Sequence, residues 1–445
     1  MHLEDLLPTT TSIEEPETVA RPERVAMLSV HTSPLAALGG RDTGGMNVYI
    51  RQLATELAER GVHVDVYTRK LEPDAPLIEE DRLGFRTTNI PAGPQAPVSR
   101  DELYSLLPEW TDAVDAYRAS QDFEYDILHS HYWLSGLAAE HLARRWGVPW
   151  AHMSHTLALL KDAHRGPHQE PESPLRIRSE ARVLQEADVV IASNPVERDD
   201  VLQRYHLEPE SVLVAPCGVD LALFHPSSRC AARERLGIRR GQRVALYVGR
   251  IEPLKGLDTL LRAAAILRTR VSGLRVIVVG GSSSPADTAT HEELARLTAL
   301  ASELGVEDAV EFYGPVPQRE LPDMYRAADV TVMPSHYESF GMAALESLAC
   351  GTPVVASDVG GLRSTIRDGA NGYLVTVDDE RAFARRIEKV LCRPELAARL
   401  SQRAARTARR YSWQRVADAN LAIYHNLLAR QNAAVPTSIG YELTV

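Results

Sequence analysis

From Arg24 onward short apolar runs alternate with amphipathic stretches, and they do so in two successive series; no other feature restricts the possible folds as tightly. RVAMLSV, then GGMNVYIRQLATELAERG, then VHVDVYT read as strand, helix, strand. DILHSH, the helix-like LSGLAAEHLARRWG, PWAHMSH and ADVVIAS continue the alternation. Strands that are apolar throughout and separated by helices belong in mostly parallel sheets covered on both faces. A second βα series follows in QRVALYVG, LRVIVVG, AVEFYG, DVTVMP and PVVAS. The expected class is therefore α/β, with two Rossmann-like domains facing across a cleft.

The length of 445 residues agrees, being more than one core usually supports. Residues 1–22 are polar and acidic and read as a disordered leader. The first domain is expected over 23–216. The segment CGVDLALFHPSS, 217–228, carries Gly, Pro and Ser and reads as the linker into a second domain over 217–411. An amphipathic helix with an aromatic entry at Trp413 is expected over 412–430, returning to the first domain, followed by a short tail at 431–445.

A net charge of -11 opposes a broad nucleic-acid surface, so phosphate binding would have to be local. Cys217, Cys230, Cys350 and Cys392 lack CxxC spacing, which suggests neither a disulfide framework nor a zinc site and suits a reducing cytoplasm. No apolar run approaches the roughly 20 residues that a membrane span needs.

Four clusters carry chemistry. His31-Thr-Ser-Pro and Arg41-Asp-Thr-Gly-Gly-Met-Asn-Val-Tyr49 follow the first strand and open a helix, where Gly44 and Gly45 let backbone N–H groups approach an anion. For an isolated Gly-Gly a packing turn is the plainer reading; the position at a strand's carboxyl end favours a ligand. The second cluster is His129-Ser-His131-Tyr132-Trp133 with Met153-Ser-His155-Thr156. It lacks the carboxylates and the i,i+4 spacing of zinc motifs, so no metal is expected; His129 and His131 suit the core, and His155 is placed to face a cleft.

In the second half, Gly249-Arg250-Ile-Glu-Pro-Leu-Lys255-Gly256 sits between strand and helix and offers two cations to a diphosphate. The strongest signal is Pro334-Ser-His-Tyr-Glu338-Ser-Phe-Gly341-Met-Ala-Ala-Leu-Glu346, with seven residues between its carboxylates. Glu338 would precede a helix, the amides of Phe340 to Ala343 would point at an anion, and Glu346 would project from within.

Taken together, the E-x7-E segment, the Arg250/Lys255 loop and the Gly-Gly-Met-Asn loop resemble the family-four retaining glycosyltransferases of the GT-B fold. The resemblance covers about 24–430. HTSP, DTGGMNVY, HSHYWLSG and SHTLALLK look most like the mycothiol-pathway enzymes that transfer N-acetylglucosamine from a UDP donor to inositol phosphate, and sucrose-phosphate synthases share much of the pattern.

That resemblance implies a nucleoside-diphosphate sugar as co-substrate, a small phosphorylated acceptor, and no required cofactor or metal. It leaves a homodimer open. Catalytic roles would fall on His155, Arg250, Lys255 and Glu338. Donor binding would fall on Gly44, Gly45, Val316, Gln318, Arg319, Ser339, Phe340, Gly341, Met342, Ala343 and Glu346, with Glu346 on the ribose. Acceptor binding would fall on His31, Asp42, Thr43, Met46, Asn47, Arg100, Tyr132, Thr156 and Arg176. This chain departs from the family in carrying Arg100 in place of Lys, and Gln318-Arg319 where relatives carry a base-contacting Arg.

Alternatives are a transferase of specialised metabolism with a thiol or alcohol acceptor and a GDP-sugar, and a non-catalytic sugar-nucleotide-binding protein. The first is separated by whether Arg100 and Arg176 meet an acceptor phosphate. The second is opposed by Glu338, Arg250 and Lys255 occurring together.

Overall fold

Segments that are apolar on both faces become the inner strands of two sheets. The computed structural model describes residues 21–36, 44–80, 84–165, 170–282 and 287–434. The first half contributes β1 (Arg24–Leu28), β2 (His63–Arg69), β3 (Ile78–Glu80), β4 (Arg86–Ile90), β5 (Ile127–His131), β6 (Trp150–Met153), β7 (Val189–Ala192) and β8 (Val212–Val214). Their order is β3-β4-β2-β1-β5-β6-β7-β8, and only β3 with β4 is antiparallel. The second half contributes β9 (Arg243–Val248), β10 (Leu274–Val279), β11 (Val310–Gly314), β12 (Val330–Met333), β13 (Val354–Ser357) and β14 (Gly372–Val375). These lie parallel in the order β11-β10-β9-β12-β13-β14.

In each sheet the chain winds outward from a central strand and then returns to that strand's other side, reversing between β1 and β5 and between β9 and β12. A crevice opens at the carboxyl ends of the strands at such a reversal, because the flanking loops leave in opposite directions. The segments after β1, β5, β9 and β12 hold most of the candidate residues; His155 and Thr156 follow β6, Val316, Gln318 and Arg319 follow β11, and Arg100 and Arg176 lie on helices Arg100–Ala119 and Pro174–Glu186.

β3, β4, β8 and β14 were not expected. β4 is Arg-Thr-Thr-Asn-Ile, whose two threonines are fully buried, and β3, β8 and β14 are only three or four residues long. Short or polar segments give little periodicity to read.

The last helix, Trp413–Ala434, packs back on the first domain against helix Gly45–Glu59. Asn420 donates to the Tyr49 hydroxyl at 3.3 Å, and Arg60 pairs with Asp418 at 3.0 Å. The helix runs four residues past the expected end at 430; 435–445 lie outside the described residues, as do 1–20 of the leader. The two chain crossings between domains touch: Val219 bridges Ser412, and its N–H donates to the Tyr411 carbonyl at 2.8 Å. A Cβ on Gly218 would lie 2.5 Å from the Trp413 ring, so only glycine lets the crossings approach this closely. No described helix is long and apolar enough to cross a membrane.

Candidate functional site

The loop after β9 and the loop after β12 are joined before any side chain meets a ligand. The His336 N–H donates to the Leu254 carbonyl at 2.9 Å, and Gly256, at φ +64°, lies so close to Pro334 that a Cβ would stand 2.1 Å from its carbonyl oxygen. This approach carries Lys255 to the other loop, where its Nζ lies 2.7 Å from Glu338 Oε2. Arg250 lies on the same loop but turns outward, largely exposed and 3.1 Å from Glu252.

Just beyond Glu338, helix Met342–Ala349 begins with Gly341 at its N-cap. The first N–H groups of a helix have no intrahelical acceptor and carry the positive end of its dipole, so an anion is favoured here. Phe340 is buried, whereas Met342 and Ala343 are partly exposed at the opening. Glu346, one turn in, accepts from the Tyr325 hydroxyl at 2.8 Å. Burial raises its carboxyl to about 7, against the hydrogen bonds from Tyr325 and Gln318 that favour the charged form. Gln318 and Glu346, with Met342, Gly218 and Trp413, line a narrow recess between the domains. Val316 packs partly buried against the adjoining core, while Arg319 is exposed beside Glu320.

The first domain supplies the opposite wall. Helix Gly45–Glu59 starts at Gly44, and a Cβ on Gly45 would lie 3.1 Å from Met342 Sδ, so the two helix openings meet across the gap. Met46 is partly buried between the first domain's core and a cluster that both domains share. Asn47 turns inward, its Oδ1 accepting from the Gly44 N–H at 2.9 Å and its Nδ2 donating to Thr32 and Ser33 at 2.6 and 2.7 Å. It fixes the loop rather than presenting polar atoms to the cleft. Asp42 and Thr43 lie outside the described residues.

Around the ends of β1, β5 and β6 the other acceptor candidates converge on Tyr132. His31 lies 4.6 Å from its ring centroid, and the guanidinium carbons of Arg100 and Arg176 stand 5.3 and 5.2 Å from it. Arg100 begins a helix whose start is fixed by a reciprocal cap between Ser99 and Glu102. Arg176 is buried, pairs with Glu180 at 2.7 Å and Glu172 at 2.8 Å, and donates to Thr156 Oγ1 at 3.1 Å. Burial, then the charges of Arg100 and Arg176 and a neighbouring His155, keep His31 well below the usual histidine range.

Tyr132 and His155 both have positive φ, +73° and +60°. Bulky side chains pay for that conformation, and it persists only where the surroundings enforce it. His155 is half-buried, and burial lowers its imidazole to about 3, so it is neutral at physiological pH.

Three contacts that hold the domains together were missed. The Ser339 carbonyl accepts from Asn194 Nδ2 at 2.7 Å and from Ser193 Oγ at 3.3 Å. Tyr337 leaves the second domain to become buried in the first domain's core, stacked on His164 at 5.7 Å. Within the second domain, the Glu338 carbonyl accepts from the Gly361 N–H at 3.0 Å. The Asn194-Pro-Val-Glu197 stretch carried a readable helix-start signal directly after β7. Among the described residues no three His, Cys, Asp or Glu side chains gather as a metal site.

Comparison with known proteins shows the family. The family model described as Glycosyl transferases group 1 matches residues 228–407, and that described as Glycosyl transferase 4-like domain matches 44–218. The D-inositol 3-phosphate glycosyltransferase of Saccharomonospora viridis is 45% identical, over 92% of this chain and 95% of its own. That of Acidothermus cellulolyticus is 43% identical, over 93% and 92%. Among solved structures, sucrose-phosphate synthase from Thermosynechococcus elongatus superposes with a TM-score of 0.84 at 34% identity, covering 92% of this chain and 100% of that one. Anabaena HepE, solved with UDP and glucose, shares the fold at 18% identity and a TM-score of 0.68, covering 93% and 100%.

Proposed function

Since the chain belongs to the group 1 glycosyl transferases of the GT-B fold, we propose that it moves a sugar from a UDP-sugar to a small phosphorylated cyclitol or sugar such as inositol phosphate, with retention of configuration. The observation that carries the reading is Lys255 Nζ, 2.7 Å from Glu338 at the mouth of helix Met342–Ala349, facing Gly45 across the interdomain gap.

In this reading the donor diphosphate lies between the two helix openings. Lys255, Arg250 swung in from solvent, and the amides at Gly341 and Met342 stabilise the charge that grows as the sugar–phosphate bond stretches toward an oxocarbenium-like state. The acceptor oxygen bonds to the anomeric carbon on the face the diphosphate leaves, and its proton passes to a diphosphate oxygen. Glu338 holds Lys255 and a sugar hydroxyl, so no covalent carboxylate adduct forms. Glu346 takes the ribose hydroxyls, Gln318 lies nearest the base, and Ser339, Phe340 and Ala343 shape the pocket. His31, Arg100, Tyr132, Thr156 and Arg176 form the acceptor end; two guanidiniums beside one aromatic ring suit a phosphate. The named relatives support such an acceptor, since one name specifies inositol phosphate and the other a phosphorylated sugar product.

A thermal-shift series with UDP, GDP, ADP and dTDP, followed by mass analysis of products from inositol phosphates and hexose phosphates, tests this. Stabilisation by UDP and glycosylation of a phosphorylated acceptor are expected; preference for GDP with a thiol or unphosphorylated alcohol acceptor would overturn it. Activity is expected to survive exhaustive chelation, and a loss restored only by divalent ions would contradict the metal-free reading.

A further inference from the structure

His155 does not stand alone at the cleft. Its Nε2 lies 3.0 Å from Nδ1 of His131, the last residue of β5, which is fully buried beneath it. His131 is wedged in turn, with the His129 ring centroid 4.2 Å away and the Tyr49 ring 5.9 Å away. His129 Nδ1 lies 2.7 Å from the Tyr424 hydroxyl on the last helix. A row of rings thus runs from helix Trp413–Ala434 through the sheet to the cleft.

We propose that His131 is a positioning residue: its Nδ1–H donates to His155 Nε2, locking His155 in the tautomer that carries its proton on Nδ1, the nitrogen left for the cleft. The direction of this bond follows from what the far side of His131 lacks. His131 Nε2 is buried without a protein partner. A proton there would be a buried donor with no acceptor, costlier than an unused lone pair; placed on Nδ1, it meets His155. Burial keeps both imidazoles neutral, so each ring has one proton to place. The left-handed backbone at His155 and the Tyr49 ring 5.3 Å from its imidazole hold the ring in this pose.

The consequence is chemical. A neutral His155 whose Nε2 is already accepting can only donate toward the cleft, to a sugar hydroxyl or phosphoryl oxygen, and cannot take the acceptor's proton. This rests on the reading above that His155 lines the sugar pocket, and it explains why that proton would go to the diphosphate.

The test uses the full-length protein labelled with 15N-histidine, the His155 signals being assigned by their loss in His155→Ala. Long-range 1H–15N spectra at neutral pH are expected to show His155 protonated at Nδ1 and bare at Nε2; a proton on Nε2 overturns the proposal whatever the activity. His131→Leu is expected to mix the two tautomers and lower kcat about tenfold with the donor KM nearly unchanged. His131→Asn, whose amide nitrogen replaces Nδ1 as donor, should restore both. Equal loss in the two variants at equal melting temperature would make His131 a packing residue only. Unchanged kcat in His155→Ala would instead remove His155 from the sugar pocket while leaving the tautomer assignment intact.

Discussion

Glu346 lies beneath the opening of its helix, where burial raises its carboxyl to about 7. Its folded-state value exceeds the ordinary carboxylate value near 4.5, so its contribution to stability is complete below about 4.5 and is lost as pH rises through 7. In the proposed donor site the dependence runs the other way, because ribose hydroxyls held by Glu346 would need its charged form as acceptor. The donor KM should therefore fall as pH rises through 7, by up to about tenfold per unit below it, and Glu346→Gln should flatten the profile. A wild-type profile already flat from about pH 6 to 8 would remove this role. At Lys255 the expected effect is on turnover: Lys255→Ala should lower kcat by about 10²–10³. Leaving Glu338 unpaired should cost only about 1–3 kcal/mol of stability, read from urea unfolding. Normal kcat in that variant would exclude Lys255 from the mechanism. An isolated basic turn such as the Lys255 loop is more often simply solvated, but its place between strand and helix, together with the Glu338 segment at a loop-to-helix junction, marked both loops in the sequence, and the structure brings Lys255 and Glu338 together. Asn47 was harder: the same residue type serves equally to brace a loop, and here all its hydrogen bonds shown go to the loop itself.

Strands β1, β9 and β12 were legible because burial on both faces leaves them dominated by apolar residues, whereas β5, Ile-Leu-His-Ser-His, is apolar only at its start. β4 was not, since its buried threonines satisfy the packing while hiding the pattern. The same limit concealed helix Arg100–Ala119, whose polar, Pro-containing sequence gives a weak apolar stripe although its capping box sets the position of Arg100. What the linear chain could not convey was that the Gly45–Glu59 and Met342–Ala349 helices open toward one another, a relation between residues about three hundred positions apart. Gly45→Ala tests that meeting point. Met342 is flexible enough to accommodate the added methyl, so stability should change by less than about 1 kcal/mol, yet the donor KM should rise about tenfold, as a Cβ now stands where the phosphates approach. Unaltered binding of the nucleoside diphosphate, measured by calorimetry, would show that the two openings do not share a ligand.

Across the whole molecule, the described contacts that fasten the two halves include the polar bonds at Ser339, the inserted Tyr337 and the meeting of Gly45 with Met342, and the proposed reaction requires this joint to part to admit donor and close to exclude water. Asn194→Asp keeps the helix cap that Asn194 provides but replaces the donor facing the Ser339 carbonyl with an acceptor. The donor KM should rise about fivefold, as losing roughly 1 kcal/mol of closure requires, and small-angle scattering should show a larger radius of gyration. An unchanged radius and KM would mean that closure does not depend on this bond. The chain leaves the first domain near Cys217 and returns only at Trp413, so the second domain is an insertion within the first. During synthesis the buried face of Tyr49 and its helix must therefore wait for the entire second domain to be made, roughly 10–40 s at ordinary translation rates. A ribosome stalled before Trp413 would display a half-finished first domain with its apolar flank bare, the stage at which a nascent chain most needs a chaperone.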